Sequence, residues 1–339
     1  MNKPARIIPR SAGPGHAPAW QRALAEAISD PAELLRQLGL PPEPGAAIGH
    51  GLFPLRVPRG FVARMRPGDR RDPLLLQVLP VAEEAAATPG YCTDPLQELE
   101  AMPLPGLLHK YHGRVLLTAT GACAVHCRYC FRRHFPYAQA NPAAGQWRPI
   151  LDYLRADASI HELILSGGDP LSLSDRRLAE LAEALATLPQ MRRLRIHSRL
   201  PVVLPERVDA ALLDWLARIP LQTVLVVHCN HANELDATVG AALAALRDAG
   251  VTLLNQAVLL RGVNDNLEAQ TALAEALFAA GVLPYYLHQL DPVQGAAHFA
   301  VADNAARQLH EALRARLPGY LLPRLVREHP GHPAKSPLA

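Results

Sequence analysis

Arg114-Val-Leu-Leu-Thr-Ala-Thr-Gly-Ala-Cys-Ala-Val-His-Cys-Arg-Tyr-Cys-Phe-Arg-Arg-His134 is a β-like apolar run, residues 114–120, that empties into a loop carrying Cys123, Cys127 and Cys130. Toward the C-terminus the same kind of short run recurs at 162–166, 192–197, 222–228, 251–258 and 282–288. Between these runs lie amphipathic stretches with helical spacing at 175–186, 207–217, 234–249 and 267–280. This alternation predicts an α/β chain of βα units around a parallel sheet, and six units make an incomplete barrel with one side open to a substrate. Several runs end in polar or glycine residues, among them Ser166-Gly-Gly-Asp169, His197-Ser-Arg199 and His228-Cys-Asn230. In parallel sheets chemistry gathers at the carboxyl ends of the strands, so these ends are expected to converge on one site. Residues 1–95 are rich in Pro and Ala, with helical patterns at 19–28 and 31–38 and a Pro/Gly-rich stretch at 41–58, and are predicted to form a mostly helical extension. Residues 96–318 then form the core, and 319–339 a short C-terminal segment. No tandem repeat or low-complexity tract stands out.

At 339 residues the chain can bury a full-sized core, as one barrel with extensions or as two domains. With 49% hydrophobic, 19% charged and 5% aromatic residues, much of the apolar content is Ala and Leu spread over helices. The formal net charge is +3 and the arginines are scattered, which argues against direct nucleic-acid binding. Residues 1–15 include Lys3, Arg6 and Arg10 but no continuous apolar run, and no later stretch reaches the roughly 20 apolar residues of a membrane helix. The reading is cytoplasmic, with no membrane partner. An odd set of five cysteines, three of them clustered, is unlike an extracellular disulfide framework and points to a reducing compartment and a metal. Cys92 and Cys229 read as buried small hydrophobes.

Three thiolates on one loop can hold three corners of a cubane 4Fe-4S cluster and leave the fourth iron open to a ligand. The competing reading is a zinc-binding module without catalysis, completed by His126 or His134. Structural zinc sites usually pair two short hooks across a longer loop, whereas here all three thiols share one loop.

The Cys-x3-Cys-x2-Cys spacing, with Tyr129 before the last cysteine, resembles the radical S-adenosylmethionine (SAM) superfamily signature. Thr93-Asp-Pro-Leu96, Pro103-Leu-Pro-Gly106, Arg128-Tyr-Cys-Phe-Arg-Arg133, Ser166-Gly-Gly-Asp-Pro170, Pro201-Val-Val-Leu-Pro205, Asn255-Gln256, Leu259-Leu-Arg-Gly-Val-Asn-Asp265 and Pro284-Tyr-Tyr286 extend the resemblance to the lysine 2,3-aminomutase family from about Cys92 to the C-terminus. The resemblance implies a radical SAM partial (β/α)6 barrel and an isomerase that moves an amino group from Cα to Cβ of an amino acid. It implies three cofactors: a 4Fe-4S cluster, SAM and pyridoxal 5'-phosphate (PLP), with an external electron donor to reduce the cluster. The cofactors supply the chemistry and the protein positions and protects it.

By the same resemblance Cys123, Cys127 and Cys130 hold the cluster. Gly167, Gly168, Asp169, His228 and Gln256 surround SAM, the glycines because a missing Cβ permits close backbone approach. Lys335 matches the Schiff-base lysine for PLP, and it is one of only three lysines, with Lys3 and Lys110. Read alone, a lysine so near a C-terminus is a solvated tail charge. Arg114 matches the arginine that binds the PLP phosphate, and Arg132 the one that pairs with the substrate carboxylate in bidentate geometry. Asp291 and Glu328 match the acidic pair that holds the distal ammonium of lysine.

Two features depart from the enzymes of lysine catabolism. The chain stops shortly after Lys335, and Gly331-His-Pro-Ala334 replaces a glycine run, with Glu328 where Asp is expected. A short chain of this kind resembles the branch that converts L-lysine to (R)-β-lysine for elongation factor P, the product passing to a ligase. An aminomutase for free lysine catabolism, arginine, ornithine or glutamate is the alternative within the class.

Overall fold

A computed structural model describes residues 17–140 and 147–339. The leader reading of residues 1–15, with Lys3, therefore lies outside the described residues.

The chain begins with three short helices, α1 (Ala19–Ala25), α2 (Pro31–Gln37) and α3 (Ala46–Leu52). Asp30 caps α2 by accepting from the Ala32 N–H, and Pro31 presets the first helical φ. Trp20, Leu34, Leu35, Phe61, Leu74 and Leu75 are buried in the same apolar core as the sheet that follows. At roughly 2 kcal/mol for each large apolar side chain, this shared core anchors residues 17–95 against the barrel.

The sheet has nine strands in sequential order: β1 (Leu107–Tyr111), β2 (Arg114–Thr120), β3 (Glu162–Gly167), β4 (Arg193–Ser198), β5 (Gln222–Val227), β6 (Thr252–Val258), β7 (Leu283–His288), β8 (Arg324–Arg327) and β9 (Ser336–Pro337). The strands from β2 to β8 are parallel, whereas β1 on β2 and β9 on β8 are antiparallel. Six helices make the crossovers: α4 (Arg148–Ala156), α5 (Asp175–Ala186), α6 (Ala210–Arg218), α7 (Ala237–Asp248), α8 (Leu267–Ala279) and α9 (Asp303–Arg316). The six strands expected from sequence are β2 to β7, so the six-unit partial barrel is what forms. The count of six is corrected in one respect: β8 adds a seventh parallel strand. It is only four residues long with arginine at both ends, too short for a periodic signal.

Side-chain alternation separates core from lumen. On β4, Leu194, Ile196 and Ser198 are buried toward the helices, while Arg193, Arg195 and His197 remain half-exposed on the other face. Leu178, Leu181 and Leu185 of α5 and Leu243 and Leu246 of α7 pack in the same core. Asp209, Asp236 and Asn266 cap α6, α7 and α8 through side-chain oxygens, which starts each helix close behind its strand. The loops at the carboxyl ends of the strands thereby share one rim.

Candidate active site

The cysteine loop leaves β2 at that rim and is held from two sides. Gly168 and Asp169 donate their N–H groups to the Thr120 and Ala122 carbonyls, at 2.7 and 2.8 Å. A Cβ on Gly168 would lie 2.4 Å from the Ala122 oxygen, and one on Gly167 2.6 Å from that of Thr120. These glycines therefore let the end of β3 pack closely against the cysteine loop. From the other side, Arg128 is fully buried, donating to Glu84 Oε1 at 2.8 Å, to the Phe53 carbonyl at 2.7 Å and to that of Gly49 at 3.0 Å. Arg133 reaches the same Glu84 carboxylate at 2.6 Å. The arginines flanking Cys130 thus fasten the loop to the N-terminal region.

All five cysteines are free. Burial, then the Cys127 thiolate, pushes the Cys130 thiol up to about 11, and burial pushes that of Cys123 up as well. Deprotonating Cys123 and Cys130 calls for a strongly cationic partner, which iron supplies. Among the described residues no three His, Cys, Asp or Glu side chains converge on a point that one metal ion could occupy. His126 gives Nδ1 to the Pro54 carbonyl at 2.7 Å, and His134 gives Nε2 to that of Gln294 at 3.1 Å. Each imidazole keeps its second ring nitrogen, so what counts against the zinc reading is the lack of convergence among the described residues, not the want of a histidine. Cys229 is buried as expected, but Cys92 is exposed. Its backbone, not its thiol, is what the fold uses, with the Cys92 N–H donating to the Pro292 carbonyl at 3.0 Å.

Asp169, expected beside SAM, is buried and saturated. It accepts from Ser198 Oγ at 2.7 Å and from the N–H groups of Leu171, Arg199 and Leu200 at 3.0, 2.7 and 3.1 Å. Burial raises its carboxyl to about 6 despite these bonds. Its observed work is to brace the end of β3 against the end of β4. His228 is different, since its Nε2 is buried without a partner, as are Nε2 of His197 and of His288. Burial depresses all three, His228 to about 4, so they face the lumen as neutral imidazoles at pH 7. Gln256 sits half-buried on β6 in register with Tyr286 of β7.

Lys335 is not a solvated tail charge. The β8–β9 hairpin pairs Val326 with Pro337 and Arg327 with Ser336, so the next cross-strand position sets Glu328 opposite Lys335. Gly331, at φ +73°, makes the left-handed turn residue that closes this hairpin. Lys335 Nζ donates to Glu328 Oε2 at 2.6 Å and stands 5.9 Å from the centre of the Tyr286 ring. Lys110 donates to Glu328 Oε1 at 3.1 Å. Burial alone would raise the Glu328 carboxyl, yet Lys335 and Lys110 outweigh it and hold it at about 2. Asp291 is half-buried, with Oδ1 enclosed and unpartnered, and burial followed by the Glu328 charge raises it to about 7.

Arg132 is buried, with Nε and Nη2 on Glu98 at 2.6 and 2.8 Å and Nη1 on Ser166 Oγ at 2.9 Å. The edge expected to grip a substrate carboxylate is therefore taken by Glu98. A guanidinium has five donors, so one hydrogen on Nη1 and one on Nη2 remain for a second carboxylate approaching end-on. Arg114 lies at the opposite end of β2 from the cysteines, about 20 Å away along the strand, with its guanidinium 4.7 Å from the centre of the Tyr111 ring. The structure thus gathers the cysteines, His228, Arg132, Asp291, Glu328 and Lys335, and Arg114 stacks on Tyr111, whose side chain lies against Glu328. Sequence reasoning placed His197 at a converging strand end but missed Lys110, Glu98 and His288 as site residues. Lys110 was within reach of it, as one of three lysines.

The Radical SAM superfamily model matches residues 117–272. L-lysine 2,3-aminomutase of Escherichia coli K12 is 52% identical over 322 residues, covering 94% of this chain and 94% of that protein. The chain belongs to the L-lysine 2,3-aminomutase family. A second relative so named, from Haemophilus influenzae, is 46% identical over 98% of both chains, and one from Clostridium subterminale is 34% identical over 94% of this chain and 77% of that protein. Members of this family are radical SAM isomerases that work with a 4Fe-4S cluster, SAM and PLP. The residues present fit that set: three half-buried thiols on one loop, three imidazole nitrogens and one carboxylate oxygen with no partner, and a lysine folded into the site.

Proposed function

We propose that the chain converts L-lysine to (R)-β-lysine, with Cys123, Cys127 and Cys130 holding the cluster and Lys335 holding PLP. The observation that carries the reading is the pair of carboxylates, Asp291 and Glu328, beside Lys335 inside a buried site. When bound, the cofactors supply hydrogen abstraction and carry the migrating nitrogen. The protein's part is placement. The two free donors of Arg132 would take the α-carboxylate end-on, a charge-assisted contact. Asp291, with an unpartnered oxygen, would accept the distal ammonium, and Glu328 would share it once Lys335 is engaged elsewhere. His228, His197 and His288 offer neutral nitrogens toward SAM and PLP, and Gln256 an amide. Arg114 would meet the PLP phosphate from beside Tyr111, the ring that stands between its guanidinium and Glu328. Burial keeps water from a reactive radical.

Two carboxylates against one cation select lysine over glutamate or any neutral side chain. The test is iron-reconstituted enzyme with SAM and dithionite on a panel of lysine, arginine, ornithine and glutamate, with chiral chromatography of the products. β-Lysine from lysine alone supports the reading, and turnover of another amino acid in its place defeats it. We place the product's use in the modification of elongation factor P through its ligase, on the strength of the chain's resemblance to that branch. An elongation factor P ligase supplied with this enzyme's product, but not with L-lysine, should add β-lysine to the factor. A cytoplasmic setting agrees with five free cysteines, and no helix among the described residues is long and apolar enough to cross a membrane.

A further inference from the structure

Arg199, at the end of β4, is buried to within 4% of its surface, and the sequence analysis gave its side chain no role. Its Nη1 lies 2.8 Å from Cys127 Sγ and 2.8 Å from Tyr129 Oη. Nη2 lies 2.7 Å from Gln77 Oε1 and 3.0 Å from Glu234 Oε2. The backbone N–H of Arg199 is pinned to Asp169 Oδ2 at 2.7 Å, and its guanidinium stands 5.4 Å from the centre of the Phe61 ring. The head group is thus clamped, with one hydrogen bond aimed at a thiol of the cysteine loop.

Tyr129 sharpens the point. Its oxygen accepts from Arg199 Nη1 and from Asn230 Nδ2 at 2.7 Å, so the phenol proton must leave in another direction. Gln77 Oε1 already accepts from Arg199 and from Asn230 at 2.7 and 2.9 Å, and Tyr129 is 3.4 Å from it. That bond to Gln77 Oε1 is long, and Cys127 Sγ is a second acceptor within reach of the phenol. Cys127 therefore receives a cationic donor from Arg199 and has the Tyr129 phenol within reach, whereas Cys130 receives a backbone N–H from Arg132.

We propose that Arg199 is a positioning residue that raises the reduction potential of the cluster by donating a charge-assisted hydrogen bond to the Cys127 thiolate, with Tyr129 as the second donor. The reduced cluster carries one more negative charge than the oxidised one, so a buried cation and hydrogen bonds at a ligating sulfur stabilise the reduced form more. Glu234 offsets Arg199 only in part, because its Oε1 is occupied by the N–H groups of Asn230 and His231 and by Gln77 Nε2. The inference rests on the reading that the three cysteines hold a 4Fe-4S cluster. Its consequence is that the external donor faces an easier electron transfer to this cluster.

The test is an anaerobic redox titration, followed by electron paramagnetic resonance, on full-length reconstituted wild type, Arg199→Gln, Arg199→Lys and Tyr129→Phe without SAM. At equal iron and sulfide content, Arg199→Gln should move the midpoint to more negative potential. Tyr129→Phe should move it the same way by less, and Arg199→Lys should recover part of the loss. An Arg199→Gln midpoint equal to wild type overturns the proposal. Should that variant fail to load iron, wild type grown with guanidino-nitrogen-15 arginine decides: the reduced cluster should show a nitrogen-15 coupling in electron–nuclear double resonance, and its absence overturns the proposal. A Cys127→Ala protein that still loaded a full cluster would instead overturn the cysteine assignment beneath it.

Discussion

Lys110 Nζ and Glu328 Oε1 lie 3.1 Å apart although 218 residues separate them in the chain. Lys110 is on β1 and Glu328 follows β8, and no ladder joins the two ends of the sheet among the described residues. The ion pair therefore stands where a closed barrel would have backbone hydrogen bonds, and it brings both ends of the sheet to Lys335. Lys110 also reaches Glu98 at 3.5 Å, and Glu98 holds Arg132, so one chain of alternating charge runs from Lys335 to the cysteine loop.

Glu328 carries a stability signature of this arrangement. Its folded pKa, about 2, is below the ordinary 4.5, so the stabilisation is fully present above pH 4.5 and fades as pH falls toward 2. The shift corresponds to about 3 kcal/mol. Urea unfolding of wild type and Glu328→Gln should differ by that order at pH 7, and the gap should narrow below pH 4.5.

Asp291 should make lysine recognition pH-dependent. With its carboxyl at about 7, the free enzyme gains the ionised form, and affinity for an ammonium, as pH rises through neutrality. The dependence should appear in kcat/KM and not in kcat, because a bound cation favours ionisation. Asp291→Asn should flatten the profile and lower kcat/KM about 10- to 100-fold, the worth of one buried charge-assisted contact.

Lys335 and Lys110 share Glu328, so chemistry must decide which of them holds PLP. Borohydride reduction of the PLP-loaded enzyme followed by peptide mapping should place the adduct on Lys335, and Lys335→Ala should lose both adduct and turnover. An adduct on Lys110 would reassign the lysine.

Among the described residues Glu84 is the one carboxylate paired with both Arg128 and Arg133 in a region closed to water, with side-chain exposures of 0%, 0% and 1%. Removing it leaves two buried cations with carbonyl acceptors but no counter-charge, which costs about 3–5 kcal/mol. Glu84→Ala should lower the urea midpoint accordingly and impair iron uptake, because the loop carrying the cysteines loses its N-terminal anchor.

The six strands from β2 to β7 were legible because each is a long enough apolar run followed by an amphipathic helix. The cysteine loop was legible because its three thiols are local. Gly167, Gly168 and Asp169 also join β3 to the cysteine loop and to β4, a contact between segments that periodicity does not report. Arg132 was found, but its partner Glu98 was not, since nothing in 34 residues of intervening chain signals that the two meet. Cys92 was misplaced because its surroundings are set by the loop at Pro292.

By itself the sequence determined the βα alternation, the side of the sheet on which chemistry gathers and, through motif resemblance, the cysteines and Lys335 as candidates. Hydrophobic period and local spacing encode which face of a segment is buried and which residues share a loop. Only the tertiary structure decided that Lys335 turns back onto Glu328, that Lys110 crosses from β1 to meet it, and that Arg199 ends on Cys127. Those contacts depend on how far the sheet curls and where its two edges come to rest, a property of all nine strands together that no single stretch of chain contains.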